Sequence, residues 1–356
     1  MSVEEGDRLL KAGIERYQNN EFEAALDAWE QAGEIYQKVG DRAREGAAVG
    51  NCGAVYQALG RLHEAIAAYE RHRAIADEIA DRTGHLNALF NLSNTHAALG
   101  DFERAIACQQ QRLAIARQLG DRRLECSVLS ELQRHYTTSG NPSQARACQR
   151  DRAYIARELF DLSPNRDFQN FCTELGLDLR RDFAGANLSG LDLDDADFAN
   201  ANLQGTCLSR CSLQLANFCG ADLSDADLVD TLAINANFNR ANLQRAHLRR
   251  ADLRTNLSGA NLQQACLEGA NLTAAYLQGA NLSEANLSGA SLKNADLKGS
   301  NLTGANLTAV DLTRAELNEA TVSKTRFVAA IGLSPEVENQ LRDRGAIVES
   351  ERPESE

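Results

Sequence analysis

A five-residue repeat between residues 183 and 327 restricts the fold of this chain more than any other feature. Each unit has a small residue, then Asn or Asp, then Leu or Phe, then two polar or small residues, as in Ala186-Asn187-Leu188-Ser189-Gly190. A period of five matches neither the turn of a helix nor the alternation of a strand. The chain is therefore expected to turn a corner every five residues.

Four such units are expected to close one square coil, with the central Leu and the preceding Ala both pointing inward. The number four comes from Phe198, Phe218 and Phe238, which lie twenty residues apart and would stack on one face. Successive coils would pair at the spacing of β-strands, giving about seven coils in all. Charged residues follow the same interval and predict ion pairs between coils, in the sets Asp225 and Arg245, and Arg210, Asp230 and Arg250.

An arginine cluster in this region permits two interpretations. Its members are Arg240, Arg245, Arg249, Arg250 and Arg254. A basic patch can bind nucleic acid, but the ion pairs between coils already account for two of its members. The interpretation as ion pairs between coils is therefore favoured over a nucleic-acid site.

The quintets resemble the pentapeptide-repeat family over about residues 183 to 327, which implies a right-handed quadrilateral β-helix. Two departures from the pattern stand out. At residues 231 to 235 the central place is Ala233, so Leu232 and Ile234 would point outward beside Val229 and form an exposed contact patch, unless a bulge turns one of them inward. Between Leu253 and Leu257 one quintet is a residue short, which is expected to tighten a corner.

A second repeat, with a period of forty, occupies residues 7 to 160. Gly60, Gly100 and Gly140 mark it, and Asp-Arg pairs, alanines and Ile-Ala pairs recur at the same interval. Apolar residues between these marks recur at intervals of three and four, the pattern of an amphipathic helix. Each unit therefore predicts two helices, the first ending at the glycine, where a left-handed backbone costs little. Four stacked hairpins would form a superhelix with a concave groove.

This pattern resembles the tetratricopeptide repeat in its forty-residue form. Four family positions are matched in the second unit by Gly53, Gly60, Ala65 and Tyr69, and in the first unit by Gly13, Asn20, Ala25 and Trp29. The later units depart from the pattern, with Ser93 and Gln133 at the first of these positions and Gln109 and Gln149 at the last. Their packing is expected to be more polar.

The resemblance implies that the groove holds an extended or helical peptide against the first helix of each hairpin. The matching positions are Asn51, Ala54, Asn87, Asn91, Asn94, Glu131 and Arg134. An amide side chain donates and accepts at once, which suits a peptide backbone. The alternative is that Asn51 and Asn91 only satisfy neighbouring helices.

The remaining segments are expected to cover the open ends of the coil, whose unpaired backbone groups would otherwise invite association. Residues 161–182 are predicted to form a linker and an N-terminal cap helix. Residues 328–347 are predicted to form a C-terminal cap helix, with Ser334 as N-cap, Pro335 as first residue and Gly345 as the stop. Residues 348–356 are expected to be a disordered tail.

Composition and motifs narrow the classes of function. The formal net charge of −13 lacks the positive footprint of a nucleic-acid-binding protein. The nine cysteines include no C-x-x-C pair, so neither a disulfide framework nor a zinc site is indicated. The acidic N-terminus and the lack of a long apolar run favour a cytoplasmic protein. No catalytic or cofactor-binding motif is present, so we expect no enzyme and no cofactor.

The expected protein is thus multidomain, with an α-helical hairpin superhelix followed by a β-helix. It resembles cyanobacterial proteins that combine the two repeats. We expect an adaptor or scaffold whose partner is a protein or peptide, with a homodimer through an end or face of the coil as a further expectation. The alternative is a rod that mimics DNA and modulates DNA gyrase, which would require a strongly negative coil.

Overall fold

The computed structural model describes residues 2–163 and 167–349. The chain divides into two compact units, residues 1–148 and 149–356. The boundary predicted at residue 160 therefore differs from the observed one, which falls within helix α8 (Pro142–Asp161). The difference arises because Ala153, Ala156 and Phe160 are buried in the apolar core of the second unit.

The first unit consists of helices joined by short turns, and from α1 to α7 each helix packs on the next one in sequence. The helix α1 begins at Val3, four residues before the predicted start of the array. Gly60, Gly100 and Gly140 follow the ends of α3, α5 and α7 with φ of 72°, 80° and 77°, which confirms their predicted role. The helices before α8 are α1 (Val3–Gln18), α2 (Phe22–Val39), α3 (Arg42–Ala58), α4 (Leu62–Glu78), α5 (Arg82–Ala98), α6 (Phe102–Leu119) and α7 (Arg122–Thr138).

The repeated aspartates cap the first helix of three hairpins. Asp41, Asp81 and Asp121 are the N-caps of α3, α5 and α7, and each carboxylate accepts a hydrogen bond from a backbone N–H three residues later. For Asp41 the donor is the N–H of Arg44, at 3.0 Å. Capping of this kind satisfies one of the free donors at a helix start, which explains why the aspartate recurs with the repeat.

The third hairpin is packed through polar groups, as its sequence predicts. The buried Ser93 hydroxyl donates to the Ala105 carbonyl at 3.0 Å and lies 3.2 Å from Nε2 of His135. Gln109, also fully buried, takes the place that Tyr69 occupies in the second hairpin. Hydrogen bonds thus replace the aromatic contact at this level of the array.

The second unit contains the five-residue repeat, and parallel bridges join residues twenty apart in successive coils. Asn187 bridges Cys207, for example, and Asp192 bridges Ser212. Each side of a coil contributes one bridging residue, so the walls are rows of single bridges and not continuous strands. The unit is therefore a stack of four-sided coils with little regular strand.

The interior of the coils is filled by the central residue of each quintet and the small residue before it. These side chains are almost all fully buried and form one continuous apolar core. The rings of Phe198 and Phe218 stack at 5.1 Å with an interplanar angle of 7°, and those of Phe218 and Phe238 at 4.8 Å and 3°. The predicted stack of phenylalanines is confirmed.

A ladder of amide side chains runs along one outer face of the coils. Nδ2 of Asn261 donates to Oδ1 of Asn242 at 3.0 Å, and Nδ2 of Asn281 donates to Oδ1 of Asn261 at 3.1 Å. Each Oδ1 also accepts the backbone N–H two residues later, as in Ser283 to Asn281 at 3.2 Å. These two bonds give a physical reason for Asn or Asp before each central Leu, since both can accept while Asn also donates.

The short quintet between Leu253 and Leu257 shortens one coil without ending the bridge pattern. The interval between bridged residues falls from 20 at Leu232 and Asp252 to 19 at Asn237 and Asn256, and later returns to 20. Thr255 takes the inward place of the small residue, and its hydroxyl donates to the carbonyl of Ala236 in the preceding coil. The tightened corner is thus held by one side-chain hydrogen bond.

The N-terminal end of the coil is covered by two helices, where the sequence predicts one. Phe160 of α8 meets Phe168 and Phe171 of α9 (Phe168–Glu174), with ring centroids 5.1 and 5.5 Å apart. Phe168 in turn contacts Phe183 of the first coil at 5.6 Å. The second half of α8 therefore belongs to the cap, which corrects its assignment to the helical array.

The C-terminal end combines a helix with a small parallel sheet. The strand β1 (Arg326–Val328) pairs with β2 (Ile347–Glu349), and α10 (Pro335–Asp343) connects them. As predicted, Ser334 caps α10 and accepts a hydrogen bond from the Val337 N–H. The prediction of a disordered tail from residue 348 is wrong for its first two residues, because Val348 and Glu349 belong to β2 and pair with β1. Its other residues, 350–356, lie outside the described residues.

Candidate functional site

A groove on the first unit lies between α3 and α5 and contains a cavity of about 410 Å³. Four of the predicted groove residues line this cavity together, namely Asn51, Ala54, Asn87 and Asn91. Small side chains form much of the remaining wall on α3, at Ala43, Gly46, Ala47 and Gly50. The sequence pattern and the geometry therefore select the same concave surface.

The amides of this groove are available for a ligand. Within residues 2–163 and 167–349, the side chains of Asn51, Asn87, Asn91 and Asn94 neither donate nor accept a hydrogen bond. Asn51 and Asn91 are half-buried, and Asn87 is exposed. The alternative that Asn51 and Asn91 serve only to satisfy neighbouring helices receives no support from this geometry.

The other predicted groove residues do not line the cavity. Nη2 of Arg134 donates to Oε2 of Glu131 at 2.6 Å, so the two charges on α7 satisfy each other. Asn94 lies half-buried on α5, three residues beyond Asn91. The structure thus concentrates the candidate site on the second and third hairpins.

His72 of α4 lines the same cavity, and the sequence alone did not identify it. In the described part of the chain, its Nδ1 is buried without a hydrogen-bond partner. Burial lowers the pKa of His72 below its ordinary value, opposed by the nearby Asp81 carboxylate. The imidazole is therefore neutral at pH 7 and presents one donor and one acceptor.

Arg112 and Phe90 occupy, one repeat later, the positions equivalent to His72 and Gly50. Position 112 follows position 72 by forty residues, and Phe90 follows Gly50 by forty. The ring of Phe90 lines the cavity, and the guanidinium carbon of Arg112 lies 4.9 Å from the centre of that ring. The forty-residue interval is the sequence signal that could have identified Arg112 and Phe90, because it aligns Arg112 with His72 and Phe90 with Gly50.

The predicted patch on the coil is partly exposed and extends around a corner. Leu232 is 50% exposed, while Val229 and Ile234 are half-buried. Bridges from Leu232 to Ser212 and Asp252 keep the twenty-residue register, and Ala233 is fully buried, so the alternative of a bulge is wrong. Leu215, which the sequence did not single out, is 59% exposed, and its N–H donates to the Ile234 carbonyl.

The arginine cluster on the coil is largely taken up by ion pairs. Arg245 contacts Asp225 and Arg250 contacts Asp230, each at 2.7 Å, which confirms two predicted pairs. Arg254 pairs with Asp252 on its own coil, also at 2.7 Å. The predicted pairing of Arg210 with Asp230 is wrong, since no ion pair joins these two residues in the described part of the chain. Three of the five arginines of the cluster are thus paired with carboxylates of the coil.

No group of three or more His, Cys, Asp or Glu side chains in residues 2–163 and 167–349 could hold a metal ion. Over the same ranges, no helix has both the length and the apolar composition needed to cross a lipid bilayer.

Comparison with known families agrees with both repeat patterns. Residues 182–214, 216–254, 255–294 and 290–327 match the family of pentapeptide repeats, in eight copies. Residues 45–118 match the tetratricopeptide repeat. No curated protein matches the chain.

Several solved structures are similar to parts of the chain. HetL, a pentapeptide-repeat protein involved in heterocyst differentiation regulation in the cyanobacterium Nostoc, is 32% identical over 42% of this chain and 79% of its own, with a TM-score of 0.30. BtubC from P. vanneervenii is 17% identical over 45% of this chain and 66% of its own, at 0.41. The tetratricopeptide domain of Arabidopsis FLU is 27% identical over 32% of this chain and 97% of its own, at 0.31.

The repeat matches cover the same segments as the helical groove and the four-sided coils. Residues 182–327 carry the pentapeptide pattern in sequence and its inward-facing Leu and Ala in structure. Residues 45–118 carry the helical hairpins that build the groove. The chain belongs to the pentapeptide-repeat family and carries tetratricopeptide repeats in its N-terminal half.

Proposed function

We propose that this protein is a non-catalytic scaffold that binds a peptide segment of a partner protein in the groove between α3 and α5. The observation that supports this most directly is the set of amides at Asn51, Asn87 and Asn91. They line one cavity and make no hydrogen bond within the described residues. Exposed peptide groups are their natural partners, because each amide can donate to a carbonyl and accept from an N–H.

The walls of the groove suit an extended segment of chain. Gly46 and Gly50 allow α4 to pack closely on α3, since a Cβ atom at these positions would meet Ile75 at 3.1 Å and His72 at 2.8 Å. The imidazole of His72 adds a neutral polar group to the lining of the groove. Hydrogen bonds to a peptide backbone give affinity without demanding one sequence. Specificity is then expected from side-chain contacts further along the groove.

The coil offers a second surface in this proposal. Its right-handed, four-sided form would be stiff, since each coil is bonded to the next on every side. The exposed Leu232, with Val229 and Ile234 close to it in sequence and Leu215 hydrogen-bonded to Ile234 through the backbone, is the proposed contact for another protein, which includes a second copy of this chain. The protein would act in the bacterial cytoplasm and need no cofactor.

The groove assignment is tested with the full-length chain as bait in lysate of the source organism. The triple change Asn51→Ala, Asn87→Ala and Asn91→Ala should abolish capture of the specific partner while the circular dichroism spectrum is unchanged. Gln31→Ala with Gln111→Ala is the matched control, because both amides are exposed on the first unit but do not line the cavity. Capture that survives the triple change would refute the groove assignment.

The alternative of a DNA mimic for gyrase gains no observation in its favour. Three carboxylates on the coil, Asp225, Asp230 and Asp252, are paired with arginines. Such pairing weakens the negative field that mimicry requires. Inhibition of gyrase supercoiling by the full chain would nevertheless reinstate this alternative, whereas unaltered supercoiling at excess protein would remove it.

A further inference from the structure

The first unit has a second cavity, which we call the outer cavity, between α2, α3 and α4. Its volume is about 490 Å³, and none of the residues that line it also lines the groove cavity. The helix α3 contributes Val49, Cys52 and Tyr56 to its wall. Asn51 and Ala54, which line the groove, lie on the opposite face of this helix. The outer cavity is therefore a separate candidate site.

The floor of the outer cavity is apolar and is built largely from small side chains. Val49 and Cys52 are 8% and 7% exposed, and Gly33, Ala67 and Ala68 also line the cavity. In the described part of the chain, no other residue forms a hydrogen bond with the Cys52 thiol. The floor therefore has room for an aliphatic chain and offers it apolar contacts.

The rim of the outer cavity carries negative charge, because Glu30, Glu34 and Glu64 line it. The hydroxyl of Tyr56 donates to Oε1 of Glu30 at 2.9 Å, and no cation pairs with Glu30 among the described residues. Glu34 meets the exposed Lys38 at 3.5 Å. Such a pair in solvent contributes little, so it leaves the Glu34 carboxylate open to a stronger partner.

The cations near the outer cavity are already engaged. Arg71 is the only basic residue among the described residues that line it, and its Nη2 donates to the fully buried Glu45 carboxylate at 2.8 Å. Arg61 pairs with Glu64 at 3.0 Å. Glu30 and Glu34 are thus the charges of the rim that a ligand can meet.

Two weak acids in the wall of the outer cavity are affected by this negative charge. Burial, together with the Glu30 carboxylate, raises the pKa of Cys52 and that of Tyr56, each to about 12. Both groups therefore stay protonated and neutral at pH 7. The outer cavity thus combines an apolar floor with a negative rim, which is the complement of a cation on an aliphatic stem.

We propose that the outer cavity binds a Lys or Arg side chain presented by a partner protein. The aliphatic stem of this side chain lies on Val49 and Cys52, and its cationic end reaches the carboxylates of Glu30 and Glu34. This site goes beyond the proposed function, because the peptide groove is built from other residues. With both sites, one helical array holds partner segments on two of its faces.

Fluorescence polarisation with the full-length chain and labelled peptide pools tests this proposal. The pools share a degenerate background of uncharged residues and differ at the central position, which is Lys, Arg or norleucine. Norleucine keeps the aliphatic stem and removes the charge. The wild type should bind the Lys pool or the Arg pool about tenfold more tightly than the norleucine pool, which corresponds to about 1.4 kcal/mol.

The charge of the rim is tested by Glu30→Gln combined with Glu34→Gln. This variant should lose the preference for a basic residue and keep its affinity for the norleucine pool, because the amide oxygen at position 30 still accepts from Tyr56. Glu15→Gln combined with Glu103→Gln is the matched control. It changes the net charge equally, at exposed positions of the same unit outside the cavity, and should keep the preference.

The space on the floor is tested by Ala68→Leu, which should weaken the binding of the Lys, Arg and norleucine pools alike. Ala74→Leu is the matched control, because Ala74 is exposed on the same helix and does not line the cavity. It should leave binding unchanged. Thermal unfolding followed by circular dichroism checks that both leucine variants are folded.

Several outcomes would overturn the proposal. Equal binding of the three pools, or binding of none, would exclude a cationic side chain as the ligand. A preference that survives the change of both rim glutamates would place the cation elsewhere. Displacement of the Lys pool by free cadaverine as effectively as by an unlabelled Lys peptide would make the ligand a small amine.

The inference and the proposed function can fail separately. The triple change Asn51→Ala, Asn87→Ala and Asn91→Ala removes the amides of the groove and should leave the preference for Lys or Arg at the outer cavity intact. Loss of this preference in the triple variant would show that the basic residue binds in the groove, and would overturn the inference while supporting the groove.

Discussion

Gly53 lies against the ring of Tyr69 so closely that a Cβ atom at position 53 would sit 2.6 Å from Cε1 of that ring. Tyr69 is 1% exposed, so its ring has no free space into which to move. The small residue on the first helix of a hairpin and the aromatic on the second are thus one contact. Two positions of the repeat pattern, sixteen residues apart, are explained by a single steric condition.

Gly53→Ala should destabilise the first unit by about 1–3 kcal/mol, because the added methyl group overpacks a rigid site. Gly33→Ala is the matched control. It is also a buried helical glycine, but its nearest neighbour would be Ala48 Cβ at 3.8 Å. That change should be neutral or stabilise by up to about 1 kcal/mol through helix propensity. Urea unfolding followed by circular dichroism measures both, and equal effects would refute the steric explanation.

Phe218→Ala should destabilise the coil by about 3–5 kcal/mol, since it leaves a cavity between two stacked rings. Phe218→Leu should cost about 1.5 kcal/mol or less, because Leu fills the same place in most quintets. The measurement is denaturant unfolding of the full chain, monitored by far-ultraviolet circular dichroism. If Phe218→Leu lost as much stability as Phe218→Ala, the filling of space would not explain the effect, and the ring itself would be required at this position.

Asn281→Asp should destabilise the coil by about 1–3 kcal/mol at neutral pH, because it replaces a donor to Asn261 with an oxygen that repels it. A carboxyl group in this place has a raised pKa in the folded state, so the loss should shrink as the pH falls and the protonated acid donates again. Asn294→Asp, at an exposed corner, is the control and should have little effect at any pH. A pH-independent loss for Asn281→Asp would contradict the ladder.

Acid should destabilise the first unit before it affects the coil. Burial lowers the pKa of three histidines in this unit, His72, His96 and His135. A group with a lowered pKa in the folded state binds its proton more readily when the chain is unfolded. Stability should therefore be constant well above the ordinary pKa of about 6.5 and fall as the pH drops below it, until the folded-state pKa is passed.

The pH dependence is checked by thermal unfolding of single-histidine variants between neutral and mildly acidic pH. His72→Gln should flatten the loss of stability on acidification, because it removes one of the three groups. The matched control is His63→Gln, a change at an exposed position of α4, which should leave the slope as it is. Equal slopes for the wild type and His72→Gln would contradict the role of burial at that residue.

Much of the fold follows from the sequence because both repeats make contacts at a fixed sequence interval. The Phe198, Phe218 and Phe238 stack needs only a four-sided coil, and the twenty-residue interval supplies it. The same holds for the ends of the first helices at Gly60, Gly100 and Gly140, where the backbone requirement is local. The predicted groove residues Asn51, Ala54, Asn87 and Asn91 were found together for the same reason, since they share the register of the repeat.

Only the tertiary structure decided which helices cover the coil and which charges are buried, because the contacts responsible do not recur at either repeat interval. The second half of α8 belongs to the coil because Phe160 meets Phe168 and Phe171, residues that lie outside both periods. Arg112 is buried because neighbouring helices pack around it. The sequence does not distinguish it from the exposed arginines of the same unit. Periodicity determined the backbone path, while the burial and pairing of individual charges depended on side chains brought together from distant parts of the chain.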